Sequence, residues 1–219
     1  MKRPNRPGAP PARSRAVPAA YGAKAAVEAP LNSVHPTTIP QWRRWLARNH
    51  TRAEGVWLIT FKRETGRPRI DHEQAVEEAI CFGWVDSLPR KLDQVGSMLW
   101  FAPRKAGSGW SKPNKERVAR LVSAGRMGPA GQAKVDAAKE DGSWRALDDV
   151  ERLVIPPDLT EALQRHDNAD RHFGLFPRSV KRGILEWISK AKRPETRAKR
   201  VEETARLASG NVRANQWRQ

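Results

Sequence analysis

The sequence has a single cysteine, Cys81, so no disulfide bond can form within the chain. One free thiol in a chain of this length is typical of proteins that are kept in a reducing compartment. No stretch approaches the roughly 20 consecutive apolar residues that a membrane-spanning helix requires. Prolines and arginines stand near the first residue where a secretory signal would have its apolar segment. These absences predict a cytoplasmic protein with no membrane span.

Motifs of metal-binding and catalytic proteins are also missing. None of the five histidines is spaced with a second histidine and a glutamate as in a zinc-binding helix. The chain has no Gly-x-Ser-x-Gly motif and no phosphate-binding Gly-x-x-x-x-Gly-Lys-Ser/Thr motif. Cys81 follows the apolar line of a predicted helix, where a small buried side chain is expected; a nucleophilic role would need a nearby cation. The sequence thus predicts no metal, no cofactor and no catalytic residue, and it favours a binding protein over an enzyme.

Positive charge is what the sequence has in excess. It holds 41 lysines and arginines against 24 aspartates and glutamates, a net charge of +17. Residues 1–30 hold six basic residues and one acidic residue, which leaves +12 on residues 31–219. Such a field attracts anionic partners, nucleic acid and other polyanions among them. The alternative is a set of solvated basic side chains without a partner, because net charge does not define specificity.

Three regions follow from composition and periodicity. Residues 1–37 are rich in proline, alanine and arginine without a hydrophobic period, which predicts a disordered basic tail. Residues 38–155 mix helical and strand patterns and predict a core domain. Residues 156–219 are helical and are expected to pack on that core. The predicted fold class is α+β: mainly helical, with a small antiparallel sheet of about three strands and a C-terminal helical hairpin.

Several segments are similar to a known protein family. They are Cys81-Phe82-Gly83-Trp84-Val85-Asp86-Ser87, Phe101-Ala102-Pro103-Arg104-Lys105, Gly107-Ser108-Gly109-Trp110-Ser111-Lys112, Asn114-Lys115-Glu116-Arg117-Val118 and Ala191-Lys192-Arg193-Pro194-Glu195-Thr196-Arg197-Ala198-Lys199-Arg200. In this order they resemble the bacterial YdeI/OmpD-associated family of bacteriocin-protection proteins, from about residue 38 to the end. The family more often has Gly-Trp-Ile-Asp-Gly at the positions where this chain has Gly83-Trp84-Val85-Asp86-Ser87. The resemblance implies stress protection, through tolerance of bacteriocins or cationic antimicrobial peptides, and it implies no reaction.

A candidate ligand site combines one strand with the loop after the sheet. Alternation along the strand puts Trp84 and Asp86 on one face, where an acid beside an indole can bind an amine; an ion pair with a neighbouring basic residue is the alternative. The glycine-rich loop before the third long helix offers backbone N–H groups to an anion; the alternative is that its tryptophan anchors the helix. The candidate ligand-binding residues are Trp84, Asp86, Lys91, Arg104, Lys105, Trp110, Ser111 and Lys112.

Nine tryptophans are many for this length. Five lie on predicted apolar faces and are expected in the core: Trp42, Trp45, Trp57, Trp100 and Trp187. Four lie at element ends or in loops, where they could stack on a ligand or anchor an element: Trp84, Trp110, Trp144 and Trp217.

The predicted C-terminal hairpin is strongly basic, with ten basic and four acidic residues in positions 178–206. A basic outer face could lie on phosphates or bind a protein partner, and a solvated face is the alternative. The candidate polyanion-binding residues are Lys190, Lys192, Arg193, Arg197, Lys199 and Arg200. Three functions remain open: a non-enzymatic stress-protection protein that binds an anionic partner, a small-ligand binder or enzyme, and a scaffold that works through the hairpin.

Overall fold

The computed structural model describes residues 29–216, and within them the chain is α+β, as predicted. Its helices and strands are β1 (Ser33–Val34), α1 (Ile39–Asn49), β2 (Val56–Phe61), α2 (His72–Cys81), β3 (Trp84–Lys91), β4 (Gly96–Pro103), α3 (Lys112–Ser123), α4 (Pro129–Glu140), α5 (Asp148–Arg152), α6 (Pro157–Arg165), α7 (Ala169–Leu175), α8 (Arg178–Ser189) and α9 (Pro194–Ser209). None of these helices is long and apolar enough to cross a membrane.

Two compact units divide the chain. The first holds the described residues up to Lys105 together with Leu121–Lys134, and the second holds Ala106–Arg120 together with the residues from Val135 onward. The sequence instead placed a border at residues 155 and 156. The apolar core of the second unit explains the difference, because Leu147 and Val150 are buried in the same cluster as the C-terminal helices.

The sheet of the first unit has four strands in the order β1-β2-β4-β3. The three longer strands are antiparallel, as predicted. The short strand β1 is parallel to β2 and lies within the segment that was predicted to be disordered. A strand of two residues has no alternation to reveal it in a sequence; here Trp57 N donates to Asn32 O at 2.9 Å and extends the pairing. A β-bulge separates Asp86 from Pro89 in β3.

Helices α1 and α2 cover one face of the sheet. Asp71 caps α2, because its carboxylate accepts from Glu73 N at 2.9 Å. Trp42 of α1 is fully buried, packs on Phe101 of β4 with ring centroids 5.3 Å apart, and donates its indole N–H to Ala75 O at 3.1 Å. One tryptophan thereby links both helices to the sheet.

The second unit is helical, and its core lies among α5 to α9. The predicted hairpin is confirmed as α8 and α9, and Pro194 opens α9. Helices α5 and α7 were not predicted, because five and seven residues carry too little periodicity. Helix α3 begins at Lys112, and Asn114 lies in its first turn, where its side-chain oxygen accepts from Arg117 at 2.7 Å.

Candidate functional site

A concave pocket of about 720 Å³ opens on the sheet face of the first unit. Strands β2, β3 and β4 form its floor, and the segment from Arg69 to Ala75 forms a wall. Its lining residues are Leu58, Thr60, Lys62, Arg69, Ile70, His72, Ala75, Asp86, Ser87, Pro89, Arg90, Lys91, Ser97, Met98 and Leu99. Two predicted ligand-binding residues, Asp86 and Lys91, are among them.

The strand register sorts the floor into rows that change from apolar to polar. Leu58, Leu99 and Pro89 pair across the three strands and form an apolar row. Two residues further along, on the same face, the row consists of Thr60, Ser97 and Lys91. The two hydroxyl oxygens of this second row lie 3.4 Å apart.

Basic side chains dominate the polar end of the pocket. Lys62 donates to the carbonyls of Asp93 and Gln94 at 2.8 and 2.9 Å, so its charge is held at the rim without being neutralised. Lys91 is exposed and makes no ion pair within residues 29–216. Arg69 Nη2 lies 4.0 Å from a carboxylate oxygen of Asp71, too far for a hydrogen bond.

Arg90 also borders the pocket, but its charge lies elsewhere. The register puts Arg90 on the opposite face of the sheet from Lys91. Its guanidinium lies over the ring of Trp57, 5.3 Å from the centroid. Three basic side chains therefore contribute to the field in the pocket, against the carboxylate of Asp86.

Asp86 lies at the other end of the floor, paired with Phe101 in the register. Its carboxylate is 3.8 Å from His72 Nε2 and it interacts with the guanidinium of Arg104. Arg104 is 6% exposed, and burial lowers its pKa to about 10, an effect that the charge of Asp86 partly offsets. Arg104 stays protonated at neutral pH, so Asp86 faces a buried cation, as the ion-pair alternative holds.

The eight predicted ligand-binding residues do not form one site within either unit. Trp84, Asp86, Lys91, Arg104 and Lys105 belong to the first unit. The others, Trp110, Ser111 and Lys112, belong to the second.

For two of the four tryptophans at element ends or in loops, the structure fits the anchoring alternative, because Trp84 is 1% exposed and Trp110 is 2% exposed. Trp84 packs edge-on against Trp45, with centroids 5.6 Å apart, and Trp110 packs against Trp144 at 5.1 Å. Both indoles anchor their elements in the interior, and neither can stack on a ligand.

The glycine-rich loop does not offer free N–H groups to an external anion. Gly107 N donates to a carboxylate oxygen of Asp141 at 3.1 Å. At the start of α3, Lys112 N lies 3.4 Å from Glu151 Oε1. Hydrogen bonds from Arg182 lower the pKa of Glu151, so this carboxylate is ionised at neutral pH. Two backbone N–H groups of this segment therefore bind carboxylates of their own unit, whereas the sequence had left open an external anion or a tryptophan that anchors the helix.

The tryptophans that are partly exposed are mostly those predicted to be in the core. They are Trp45, Trp57, Trp100, Trp144 and Trp187. Four of these rings have a basic side chain over them: Arg52 on Trp45, Arg90 on Trp57, Lys115 and Lys139 on Trp144, and Arg200 on Trp187. These cations cover the faces of indole rings that the core leaves partly exposed to solvent. Trp217 lies outside the described residues.

Half of the predicted polyanion-binding residues are engaged within the second unit. Lys190 pairs with Glu186 at 2.6 Å, and Arg197 donates twice to Asp158, at 2.7 and 2.9 Å. Arg200 donates to Trp187 O and stacks on the same residue. Three remain exposed, with no ion pair in the part of the chain that the structure describes: Lys192, Arg193 and Lys199.

A buried charge cluster at the end of α2 was not predicted. Glu78 is 3% exposed and accepts from Arg43 at 2.6 Å and from Arg126 at 2.8 Å. Cys81 is fully buried beside it, and burial together with the charge of Glu78 raises the pKa of its thiol. A protonated, inaccessible thiol is a packing residue. In the sequence, the only sign of this cluster is the i, i+3 spacing that puts Glu78 and Cys81 on one face of the helix.

Comparisons with known proteins divide the chain in a similar way. Residues 34–134 match the family model described as "Domain of unknown function (DUF8412)". Residues 152–211 match the model described as "Bacteriocin-protection, YdeI or OmpD-Associated". No curated protein and no solved structure matches the chain. Of the segments that carried the sequence resemblance, the one at residues 191–200 lies inside the second match. The family resemblance is thus confirmed for residues 152–211, where the chain matches the bacteriocin-protection, YdeI or OmpD-associated family.

Proposed function

We propose that this chain is a non-enzymatic binding protein of the bacteriocin-protection type, and that it holds a small anionic molecule in the sheet pocket of its first unit. The observation that carries the proposal is the pocket itself. It has a volume of about 720 Å³ and basic side chains at one end. Sites for small molecules usually have volumes of about 300–1,000 Å³, apolar walls and a few convergent polar groups.

The charge balance of the pocket supports an anion. Lys62, Arg69 and Lys91 carry three positive charges, and Asp86 is the acidic residue that lines the same pocket. Lys91 has no internal ion pair to give up within residues 29–216, so an anion can pair with it at low cost. Positive charge in a concave site also raises the local concentration of anions and their association rate.

Binding is preferred to catalysis because of how the polar groups are arranged. Thr60 and Ser97 have hydroxyl groups within reach of each other at 3.4 Å. Hydroxyls beside an ammonium group orient an anion, whereas a nucleophile needs an adjacent base. Protection against bacteriocins is the cellular role that the match of residues 152–211 supports. We place the protein in the cytoplasm, in keeping with its single, buried thiol.

The test is a thermal-shift screen of the full chain with monocarboxylates, dicarboxylates and phosphate esters, followed by calorimetry on the best anion. We expect at least one anion to raise the unfolding temperature. Lys91→Glu should abolish the shift, and Lys199→Glu on α9, which makes the same charge change, should leave it intact. No shift with any anion, or the same shift in both variants, would refute the proposal.

A second candidate function is polyanion binding by the hairpin, favoured by exposed Lys192, Arg193 and Lys199. Affinity for RNA or DNA should then fall steeply with salt, with a slope of roughly 0.7–0.9 per phosphate contact. Lys192→Glu together with Lys199→Glu should reduce that slope, and Lys91→Glu should not. Binding that does not change with salt would exclude nucleic acid and favour a protein partner on α8 and α9.

A further inference from the structure

We propose that the pocket selects an amphipathic monoanion: a carboxylate head on a medium-chain aliphatic or aromatic body, with no second negative charge at the far end. This inference rests on the proposed function and adds the chemical class of the ligand. It comes from the order of the three rows on the floor, which place a cationic end, an apolar middle and an acidic end along the strands.

The cationic end fits a carboxylate head. Thr60, Ser97 and Lys91 stand side by side on adjacent strands, which are about 4.8 Å apart. The two hydroxyl groups are 3.4 Å apart, close enough to bind one carboxylate together, and Lys91 on the next strand adds a positive charge beside them. Lys62 and Arg69 add charge at the rim and favour the ionised head over a neutral one.

The middle of the pocket fits an apolar body. One pleat repeat from the hydroxyl row, about 7 Å along the strands, lie Leu58, Leu99 and Pro89. Ile70 and Ala75 face the same space from the wall. Leu58, Ile70 and Ala75 are each at most 2% exposed and support the floor and wall from within, so Leu99 and Pro89, which are more exposed, present the apolar surface that a ligand can touch. A ligand with charge along its whole length, such as a nucleoside triphosphate, would place phosphate groups in contact with these apolar side chains. The phosphate groups would then lose their hydration without gaining hydrogen bonds.

The far end of the pocket repels a second anion. Asp86 follows the apolar row, paired with Phe101, and its carboxylate is 24% exposed. Arg104 is the buried cation beside it, so the second group of a dicarboxylate of the same length would have to compete with Asp86 for that cation and would lie against the carboxylate of Asp86. Asp86 therefore acts as a specificity residue that distinguishes one charge from two.

The experiment compares three probes of matched length on the full chain by calorimetry: octanoate, octan-1-ol and suberate, with inorganic phosphate as a fourth. A hydrogen bond to a charged group contributes about 1.5–3 kcal/mol, which is about tenfold or more in affinity. We therefore expect octanoate to bind at least about tenfold more tightly than octan-1-ol. Repulsion by Asp86 should also make suberate weaker than octanoate.

Two variants assign these preferences to residues. Lys91→Ala should weaken octanoate and leave octan-1-ol unchanged. Asp86→Asn should bring the affinity for suberate close to that for octanoate. Arg206→Ala, at an exposed position of α9, is the control that should change nothing. Lys91 is exposed, so Lys91→Ala should keep the fold. If Asp86→Asn unfolds the protein because Arg104 loses its carboxylate partner, the test is the ratio of the suberate affinity to the octanoate affinity on the unmodified protein.

The outcomes separate the ligand class from the function. If phosphate binds as tightly as octanoate and depends on Lys91, the pocket binds anions but the amphipathic class is wrong. If suberate binds as well as octanoate or better, the role of Asp86 is wrong. If none of the probes binds and the wider screen of anions also fails, the proposed function falls together with this inference.

Discussion

Gly131→Ala should destabilise the first unit, because α4 crosses the end of α2 at Gly131 with no room for a methyl group. A Cβ atom at this position would lie 2.4 Å from Ile80 O and 2.6 Å from Cys81 O. Both atoms belong to backbone, which cannot rotate away as a side chain can. The segment from Cys81 to Ser87, within the match to the domain of unknown function, thus begins at a close contact between two helices.

The magnitude follows from two opposing effects. Overpacking a close contact costs about 1–3 kcal/mol, while alanine in a helix gains up to about 1 kcal/mol over glycine. Gly131 lies in the first turn of α4, where the gain is smaller. We therefore expect a net loss of about 1–2 kcal/mol in the free energy of unfolding. A Cβ atom at Gly183 in α8 would have no other atom within 4 Å, so Gly183→Ala should stabilise by about 0.5–1 kcal/mol.

The assay is urea-induced unfolding followed by circular dichroism and tryptophan fluorescence, with separate transitions allowed for the two units. The same substitution should shift the midpoint in opposite directions at the two glycines. If Gly131→Ala is as stable as the unmodified protein, the close approach of α4 to α2 is wrong.

Three further predictions concern the structural residues. Glu151→Gln should lower stability at neutral pH by about 1 kcal/mol, because the side chain is 14% exposed and accepts from Arg182 at 2.9 Å. The pKa of Glu151 is lowered in the folded protein, so its contribution to stability is present above the ordinary glutamate pKa and is lost as the pH falls through the pKa of the folded state. The free energies of unfolding of the variant and of the unmodified protein should therefore converge in acid. A difference that stays constant with pH would contradict this prediction. Trp110→Ala should cost about 3–5 kcal/mol in urea unfolding, whereas a surface platform would cost almost nothing. Gly83→Ala should cost about 1–2 kcal/mol in the same assay, because Gly83 has φ of +76°, and a neutral result would count against that conformation.

Local signals were enough to predict most of the secondary structure. Asp71, Pro40 and Pro194 mark helix starts in the structure, as their chemistry suggests. The α8 and α9 pair and the three antiparallel strands follow from periodicity. The elements that were not predicted are short: the strand Ser33–Val34 and the helices α5 and α7. The other features that were not predicted depend on partners that are distant in sequence.

The burial of the tryptophans shows where local reasoning stops. Position within an element left open whether Trp84 and Trp110 are accessible, and it put Trp57 and Trp100 in the core. In the structure the first two are buried, whereas Trp57 and Trp100 are only partly buried. Trp57 and Trp100 pair across β2 and β4 on the sheet face opposite to α1 and α2. Which face of a strand the helices cover is decided by packing, and alternation alone cannot tell the two faces apart.

The pocket could be predicted only in part. Asp86 and Lys91 were singled out from β3 alone, and both line it. Thr60 and Ser97 were missed, because nothing in either strand shows that they stand opposite each other next to Lys91. The register of three strands creates this row, and the bulge between Asp86 and Pro89 changes that register.

The same bulge has a consequence for association between copies of the chain. β3 is the outer strand of the sheet, and Leu88 on it is 46% exposed, which makes it a surface that a strand of another molecule could approach. Pro89 offers no N–H group for such pairing, the irregular register bends the backbone, and Arg90 and Lys91 repel a second copy. The free border of the sheet is thereby protected against edge-to-edge aggregation by the segment that also forms the pocket.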